Sequence, residues 1–291
     1  MKLNRRGFAL GAACAALTPS PAAADAEWSF ERAQKAWADS GRESGLTSES
    51  FDAIQRRKPN IVNEVEILLR HHFGAADPVI LQAFRDVPRE YYHYHYGRKA
   101  AFATEAYEPN ARPWSIGLGS ALSDYRGQLY MTQLAGPTRE STALEIGTGS
   151  GYQISLLSRI VKQAYSIEIV EPLGKAVGRI FKPLGYDNLQ TRVGDGYYGW
   201  TEVEGGFDVI IVTCVAQHVP PPLFQQLKPG GKLVIPIGQP FKREQFLYVF
   251  SKDADGKIHS RKDIGIYFIP MTGRAMAQQD TPKDEPARKS E

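Results

Sequence analysis

The fold follows from nine residues, Leu144-Glu145-Ile146-Gly147-Thr148-Gly149-Ser150-Gly151-Tyr152. They join an apolar strand to an apolar helix through three closely spaced glycines. Glycines at such a junction let the backbone turn sharply and let a ligand approach it closely. The spacing is G-x-G-x-G, whereas a dinucleotide fingerprint, G-x-G-x-x-G, would require glycine in place of Tyr152. The stretch therefore predicts a ligand loop that is not of the dinucleotide type, or else a structural turn without a ligand.

The acidic residue ahead of the glycines indicates the charge of the ligand. A pyrophosphate favours the bare positive end of a helix, whereas Glu145 suits a ligand that carries an ammonium group. S-adenosylmethionine has an ammonium group and also a sulfonium. It is therefore the cofactor that this loop predicts.

Outward from the loop, short apolar runs alternate with helical stretches, which is typical of a parallel sheet covered on both faces. The runs are residues 143–146, 164–167, 189–193, 207–212 and 232–237. Two later runs, 245–250 and 258–268, bracket the turn Asp253-Ala254-Asp255-Gly256, which predicts a hairpin. The sequence thus predicts an α/β fold: a Rossmann-like, doubly wound, mostly parallel sheet with antiparallel C-terminal strands and an N-terminal helical extension.

Polar residues stand at the ends of successive predicted strands, where the crevice of such a sheet lies. Glu168 closes the second strand, and a carboxylate there can accept hydrogen bonds from both ribose hydroxyls. Asp195 and Gly196 follow the third strand, where the carboxylate can reach an adenine amino group, and Thr213 ends the fourth. Most acidic residues are solvated surface charges. Three of them at consecutive strand ends, counting Glu145, nevertheless indicate one binding site.

The first 26 residues have the pattern of a secretory signal: a basic start, a short alanine-rich apolar run and the site Ala24-Asp25-Ala26. The pair Arg5-Arg6 followed by Phe8 is typical of twin-arginine signals. The apolar run is too short for a stable membrane anchor. We therefore predict the twin-arginine export machinery as a partner and a periplasmic or secreted location, or a cytoplasmic one if the leader is not used.

Four stretches of the predicted domain carry a recognisable pattern. They are residues 145–153, 185–188, 193–200 and 227–238, of which the third, Val-Gly-Asp-Gly-Tyr-Tyr-Gly-Trp, is the most specific. The pattern continues upstream through Asp77-Pro78 and Val87-Pro88-Arg89-Glu90, and downstream to Phe268-Ile269-Pro270-Met271-Thr272-Gly273. Together these stretches resemble the protein-L-isoaspartate O-methyltransferase family of S-adenosylmethionine-dependent methyltransferases.

The resemblance implies a protein-repair enzyme that methylates the isoaspartyl carboxylate of a protein or peptide substrate. A carboxylate with a pKa of about 4 is ionised at neutral pH, so no general base is needed and catalysis rests on positioning and desolvation. The predicted cofactor-binding residues are Glu145, Gly147, Thr148, Gly149, Gly151, Glu168, Asp195, Gly196 and Thr213. Ser123 is the predicted catalytic residue, because it keeps the position of the serine that binds the substrate carboxylate.

The substrate side departs from the family pattern over residues 120–126, Ser-Ala-Leu-Ser-Asp-Tyr-Arg. The family has a glutamine, a threonine and a proline here that this chain lacks. Asp124 adds a negative charge beside a site meant for an anion, and Arg126 is the residue that can compensate. Two alternatives therefore stay open: an exported, diverged member with another carboxylate substrate, or a binding protein without catalysis.

Three further parts of the chain complete the predicted organisation. Residues 27–60 form a polar helical preface, residues 61–276 the methyltransferase domain, and residues 277–291 a disordered tail. The net charge of +3, without a stripe of lysine or arginine, argues against a nucleic-acid partner.

Histidine and cysteine residues do not predict a metal site. His93 and His95 have the spacing of a metal half-site, but no third ligand stands nearby, so an aromatic patch is the favoured interpretation. Cys214 lies in an apolar run and is predicted to be a buried core residue. His218, just past the fourth strand, is a weaker candidate for the substrate mouth.

Overall fold

The structure, a computed structural model, describes residues 27–277. The predicted leader lies outside these residues, as does the predicted tail apart from Ala277. Within residues 27–277, no helix combines the length and apolar character that a membrane span requires.

Helices form the N-terminal part of the described chain. They are α1, Phe30–Asp39, α2, Ser48–Phe73, and α3, Pro78–Asp86. Ser29, Thr47 and Asp77 precede them, and the side chain of each accepts a hydrogen bond from a backbone N–H of the first turn. Pro78 occupies the first position of α3, where its missing N–H costs nothing.

Helix α2 continues through Pro59 and across the predicted end of the preface at residue 60. Pro59 removes one hydrogen bond from the helix interior. Buried side chains on both sides of it, Ile54 and Ile61, hold the helix against the core. The predicted boundary between residues 60 and 61 therefore falls within a continuous helix.

Two small hairpins and one helix lead from α3 to the main sheet. The first hairpin pairs β1, Tyr94–His95, with β2, Ala100–Ala101, and the second pairs β3, Trp114–Gly117, with β4, Ser120–Leu122. Helix α4, Tyr125–Ala135, follows, and the carboxylate of Asp124 caps it by accepting the Gly127 N–H at 2.8 Å.

Strands and helices then alternate along the chain, as predicted. The strands are β5, Thr142–Ile146, β6, Gln163–Glu168, β7, Leu189–Val193, β8, Phe207–Val212, β9, Leu227–Gly238, β10, Gln245–Lys252, and β11, Ile258–Ile266. The helices are α5, Tyr152–Ile160, α6, Glu171–Val177, α7, Pro221–Gln226, and α8, Arg274–Ala277. Every predicted strand is present, and β9 begins five residues earlier than predicted.

The seven strands form one sheet in the order β7-β6-β5-β8-β9-β10-β11. Strands β7, β6, β5, β8 and β9 run parallel to one another, and β10 is antiparallel to both β9 and β11. The predicted fold class is thereby confirmed. The chain reverses its direction of travel across the sheet between β5 and β8, and ligands bind such sheets at the carboxyl ends of the strands beside this point.

Both faces of the sheet are buried, because successive side chains of a strand point to opposite sides. Ala143 and Val209 face a core that includes α1 to α5. Leu144 and Ile210 face a second core on the other side. The near-continuous apolar runs that predicted these strands follow from this double burial.

The N-terminal helices pack into the first of these cores. Trp37 of α1 is 1% exposed, and its ring centroid lies 5.3 Å from that of Tyr91 and 5.8 Å from that of Tyr94. Arg42 stacks over Trp37 and Tyr91 at 4.4 and 4.2 Å. The predicted preface thus shares its core with the rest of the fold.

We expect Trp37→Ala to lower the free energy of unfolding by about 3–5 kcal/mol, because it leaves a large cavity in this shared core. Ile67→Ala on α2 is the control, since Ile67 is 59% exposed and its loss should change stability by less than about 0.5 kcal/mol. Urea denaturation measures both values. Equal, small effects would show that α1 does not contribute to the core.

Candidate active site

A cleft opens at the carboxyl ends of β5, β6 and β8. Eight of the ten residues predicted for the site line it: Ser123, Glu145, Gly147, Thr148, Gly149, Glu168, Gly196 and Thr213. The β3–β4 hairpin and the segment after β11 form its other walls. The cleft therefore lies where the strand order predicts a ligand.

The glycine loop forms the floor of the cleft and is held by hydrogen bonds to β6. The backbone N–H of Gly147 donates to the carbonyl of Ile167 at 2.9 Å, and that of Gly149 donates to the carboxylate of Glu168 at 2.8 Å. Both glycines have positive φ, +98° and +52°. A Cβ on Gly147 would lie 2.6 Å from the hydroxyl of Thr213, so only glycine fits there.

Gly151 does not line the cleft, although it was predicted to bind the cofactor. It precedes α5 with φ +84°, and a Cβ there would lie within 3 Å of Val177 and Phe181. Its small size lets the start of α5 pack closely against Val177 of α6 and against Phe181. The third glycine of the motif therefore has a packing role in this structure.

Asp195 also lies outside the lining, because backbone groups occupy its carboxylate. Its two oxygens accept the N–H of Tyr197 at 2.9 Å and that of Arg274 at 2.7 Å. The second bond ties the start of α8 to the end of β7. Each carboxylate oxygen has a second lone pair, so an adenine amino group remains a feasible additional donor.

Glu145 is a buried carboxylate that lines the cleft. The hydroxyl of Ser166 donates to it at 2.6 Å, and the hydroxyls of Ser166 and Thr148 lie 2.7 Å apart. Burial raises the pKa of Glu145 well above its usual value, the hydrogen bond from Ser166 opposes this rise and the charge of Glu168 adds to it. A cationic group of a ligand would restore the favourable surroundings that the ionised carboxylate lacks.

Glu168 connects the glycine loop to the turn after β6. One carboxylate oxygen accepts the N–H of Gly149, and the other accepts the N–H of Val170 at 2.9 Å. Each oxygen therefore keeps a lone pair that can accept a hydroxyl hydrogen from the cleft. This arrangement fits the predicted contact with a ribose.

Thr213 and Cys214 line the cleft directly after β8. The hydroxyl of Thr213 donates to the Gly147 carbonyl at 2.7 Å, which makes it a support for the loop. Cys214 is a free, buried thiol, as predicted. Burial and the charges of Glu168, Glu145 and Asp195 raise its pKa, so the thiol stays neutral.

Residues 120–126 form the substrate side of the cleft. Ser120 and Ser123 line it, but Asp124 does not, because its carboxylate caps α4. Arg126 contacts Glu64 of α2 at 2.8 Å and so does not compensate the charge of Asp124. The helix N-terminus, which favours negative charge, takes that role.

Several residues that line the cleft were not predicted from the sequence. Gln128, Gln153 and Cys214 line the cleft, as do residues 267–272 after β11. The last segment was noted only for its resemblance, since nothing in its composition marks it as a binding element. Arg89 was missed as well: it is buried, and its guanidinium donates to the backbone carbonyl of Ser123 at 2.7 Å.

The histidines lie away from the cleft lining. His93 is buried and packs against the rings of Phe102 and Trp114, with centroid distances of 4.9 and 6.2 Å. Burial holds its pKa well below the usual value, so it is a neutral member of an aromatic cluster. Among residues 27–277 no group of three or more potential ligands could hold a metal ion. His218 is exposed.

Comparison with known proteins identifies one family. A family model described as protein-L-isoaspartate(D-aspartate) O-methyltransferase matches residues 62–276. Protein-L-isoaspartate O-methyltransferase 2 of Syntrophobacter fumaroxidans is 43% identical over 68% of this chain and 77% of its own length. Protein-L-isoaspartate O-methyltransferase 1 of Cupriavidus necator is 38% identical, with 77% of this chain and 85% of its own length covered.

Solved structures show the same fold. A protein-L-isoaspartate O-methyltransferase superimposes with a TM-score of 0.63 at 27% identity, covering 74% of this chain and 67% of that one. A Plasmodium falciparum protein in complex with S-adenosyl-L-homocysteine superimposes with a TM-score of 0.59 at 21% identity, covering 74% of this chain and 98% of that one.

We expect Glu145→Gln to stabilise the ligand-free protein at neutral pH and to weaken S-adenosylmethionine binding about 10–100-fold, the loss of one charged hydrogen bond. Because the folded-state pKa of Glu145 is raised, its ionisation costs stability as pH rises from about 4.3, its unfolded value, through the folded value. Glu145→Gln has no carboxyl group at this position, so its stability should not fall in this way as the pH rises.

Thermal unfolding between pH 4 and 8 and calorimetric titration with S-adenosylmethionine measure the two effects of Glu145→Gln. The control is Glu140→Gln, because Glu140 is exposed just ahead of β5. A variant that binds the cofactor as tightly as the unmodified protein would contradict the role of Glu145.

Proposed function

The chain belongs to the protein-L-isoaspartate(D-aspartate) O-methyltransferase family, and on this premise we propose how its cleft performs that family's reaction. The protein is an S-adenosylmethionine-dependent protein-L-isoaspartate O-methyltransferase, a repair enzyme. The observation that carries the proposal is the buried carboxylate of Glu145 beside the glycine loop, in a cleft whose other wall holds Ser123.

The described residues fit the cofactor in charge and in shape. Glu145 and Glu168 are the carboxylates of the lining, which contains no lysine or arginine among its described members. A cationic ligand therefore suits this cleft better than a nucleotide phosphate would. A Cβ on Gly149 would have its nearest neighbour, the Ser120 hydroxyl, 3.4 Å away, so this glycine leaves room between the loop and the substrate wall.

Each cofactor contact has a residue that can supply it. We assign the ammonium group to Glu145, the ribose hydroxyls to Glu168 and the edge of the adenine to Gly196 and the free lone pairs of Asp195. Bound S-adenosylmethionine supplies the activated methyl group. The hydrogen bonds that fix Gly147 and Gly149 to β6 keep the loop from yielding when the ligand binds.

The chemical step needs no proton transfer by the protein. The ionised isoaspartyl carboxylate attacks the methyl carbon, a C–O bond forms as the S–C bond breaks, and the methyl ester and S-adenosylhomocysteine leave. Ser123 can donate one hydrogen bond to the carboxylate and so orient it. Alignment of the reacting atoms and exclusion of water then account for the rate.

The apolar segment that includes Phe268 and Met271 covers one side of the reacting centre. Cys214 is neutral there and does not compete with the substrate as a nucleophile. No described side chain on these walls needs to change its protonation state during the reaction.

Two other functions were left open by residues 120–126. The charge of Asp124 was the reason to consider a different carboxylate substrate or loss of catalysis. Since that charge caps α4 and lies outside the cleft lining, it does not oppose an isoaspartyl carboxylate directly. The isoaspartyl substrate is therefore favoured over both alternatives.

We expect the protein to methylate an isoaspartyl peptide but not the same peptide with normal aspartate. Ser123→Ala should raise the KM of the isoaspartyl peptide about 10-fold, because it removes one hydrogen bond to a charged group. Transfer of a radiolabelled methyl group measures both. Ser260→Ala on β11 is the control, because Ser260 is exposed. Binding of S-adenosylmethionine without methyl transfer would instead favour the non-catalytic alternative.

We also propose that the enzyme acts after export, in the periplasm or outside the cell. Residues 1–26 support this proposal through the Arg5-Arg6 pair and the Ala24-Asp25-Ala26 site. Because twin-arginine signals direct export of folded proteins, the enzyme can leave the cytoplasm with cofactor bound. That route alone would allow about one turnover per molecule unless cofactor is supplied outside.

We expect residues 1–26 to export a fused reporter protein, and the double change Arg5→Lys and Arg6→Lys to retain it in the cytoplasm. Cell fractionation followed by immunoblotting measures the distribution. The double change keeps both positive charges, and Lys2→Arg, a charge-conserving change outside the pair, is the matched control. A reporter that stays in the cytoplasm with the unmodified leader would contradict the proposal.

A further inference from the structure

We propose that Arg89 is a positioning residue for the substrate carboxylate: it fixes the Ser123 loop against the first turn of α5 and places a positive charge directly behind that loop. The inference rests on the proposed function, because it assumes an anionic substrate at Ser123. It adds a residue that lines no part of the cleft and contacts neither ligand directly.

Arg89 holds the substrate wall from behind. It follows α3 and is 1% exposed. Its Nη2 donates to the carbonyl of Ser123 at 2.7 Å, and its Nη1 donates to the side-chain oxygen of Gln128 at 3.0 Å. Ser123 and Gln128 both line the cleft. Two lining residues from the end of the hairpin and from α4 are thus fixed by one rigid, planar group.

The same guanidinium also contacts the helix that follows the glycine loop. Its central carbon lies 4.7 Å from the ring centroid of Tyr152, the first residue of α5 after the glycine loop. It also lies 5.4 Å from the ring of Tyr125 at the start of α4. Arg89 therefore sets the spacing between the element that holds the substrate carboxylate and the element that follows the cofactor loop.

Charge gives Arg89 a second effect on the substrate. The cleft lining contains the carboxylates of Glu145 and Glu168 and, among the described residues, no lysine or arginine, so an incoming carboxylate meets a negative field. Arg89 lies behind Ser123 and carries a fixed positive charge, because arginine stays protonated in proteins. Burial reduces screening by water, so this charge acts on the substrate site over a longer range than an exposed one would.

Arg89 has no ion pair with a carboxylate among the described residues. Burial lowers the pKa of its guanidinium, and Asp124 is the one carboxylate among the groups that oppose this shift; that carboxylate is engaged with the N-terminus of α4. The Nε of Arg89 has no hydrogen-bond partner among the described residues. A buried cation kept without a paired anion is costly, which fits a group that serves the anionic substrate.

Arg42 provides a matched control within the same chain. It is also a buried arginine, stacked on Trp37 and Tyr91, and its Nη1 donates to the carbonyl of Tyr91 at 3.0 Å. None of these residues lines the cleft. Loss of Arg42 removes a buried cation and its packing without touching the Ser123 loop.

The test compares the binding of two peptides to the full chain in the presence of saturating S-adenosylhomocysteine. One carries the isoaspartyl carboxylate, and the other carries a neutral carboxamide at the same position. We expect the unmodified protein to bind the carboxylate peptide at least 10-fold more tightly. Arg89→Met should reduce this ratio to about threefold or less and leave the Kd of S-adenosylhomocysteine within about threefold.

Two further variants separate positioning from loss of stability. Arg42→Met should lower the Tm about as much as Arg89→Met does. It should leave the ratio of the two peptide Kd values unchanged. Arg89→Lys keeps the positive charge but cannot make both hydrogen bonds, to Ser123 and to Gln128. The ratio of the two peptide Kd values should therefore be retained, while kcat should fall about 10-fold. Because Arg89→Lys is the milder change, it also tests the inference if Arg89→Met does not fold.

Three outcomes would overturn the inference: an unmodified protein that does not distinguish the two peptides, an Arg89→Met variant that keeps the full ratio, or an Arg42→Met variant that loses it equally. Failure of the proposed function has a different signature. In that case the unmodified protein would bind S-adenosylhomocysteine and distinguish the peptides but transfer no methyl group, and the effect of Arg89 on the ratio would still be measured.

Discussion

The hydrogen bond from the Gly149 N–H to the carboxylate of Glu168 joins the two strand ends on which the whole site depends. It fixes the glycine loop after β5 to the end of β6, and the hydroxyl of Thr213 supports the same loop from β8. A loop held from both neighbouring strands cannot shift without breaking these hydrogen bonds. The cleft is therefore formed before a ligand arrives, and little ordering entropy has to be lost on binding.

Charge distribution explains how one cleft accepts a cation and an anion. Glu145 is buried without a cation in the cleft lining, which suits the ammonium group that we assign to it, whereas Ser123 lies on the wall backed by Arg89. The positive groups of the cofactor and of Arg89 then bring the carboxylate of the substrate to the methyl group. Because the carboxylate nucleophile is already ionised, the protein has to bury it and orient it toward the methyl group, and no proton has to be removed.

The predicted strands and the cleft position followed from local patterns, but the functions of single residues did not. Glu168 and Thr213 lie in the cleft because strand ends share one edge of the sheet. Gly151 and Asp195 were predicted for the site by the same local reasoning. Gly151 lies outside the cleft lining and is packed against Val177 and Phe181, and the carboxylate of Asp195 also accepts the N–H of Arg274, 79 positions away. Asp124 looked like a charge in the substrate site and is a helix cap.

The sequence by itself determined the α/β fold, the glycine loop and the acidic strand ends, because hydrophobic periodicity and turn chemistry act between residues close in the chain. Only the tertiary structure decided which walls close the cleft and which charges face it. Residues 267–272 and Arg89 reach the site from segments far from the glycine loop in sequence. Such contacts depend on how α1 to α4 and the C-terminal strands pack against the sheet, and no local pattern records that packing.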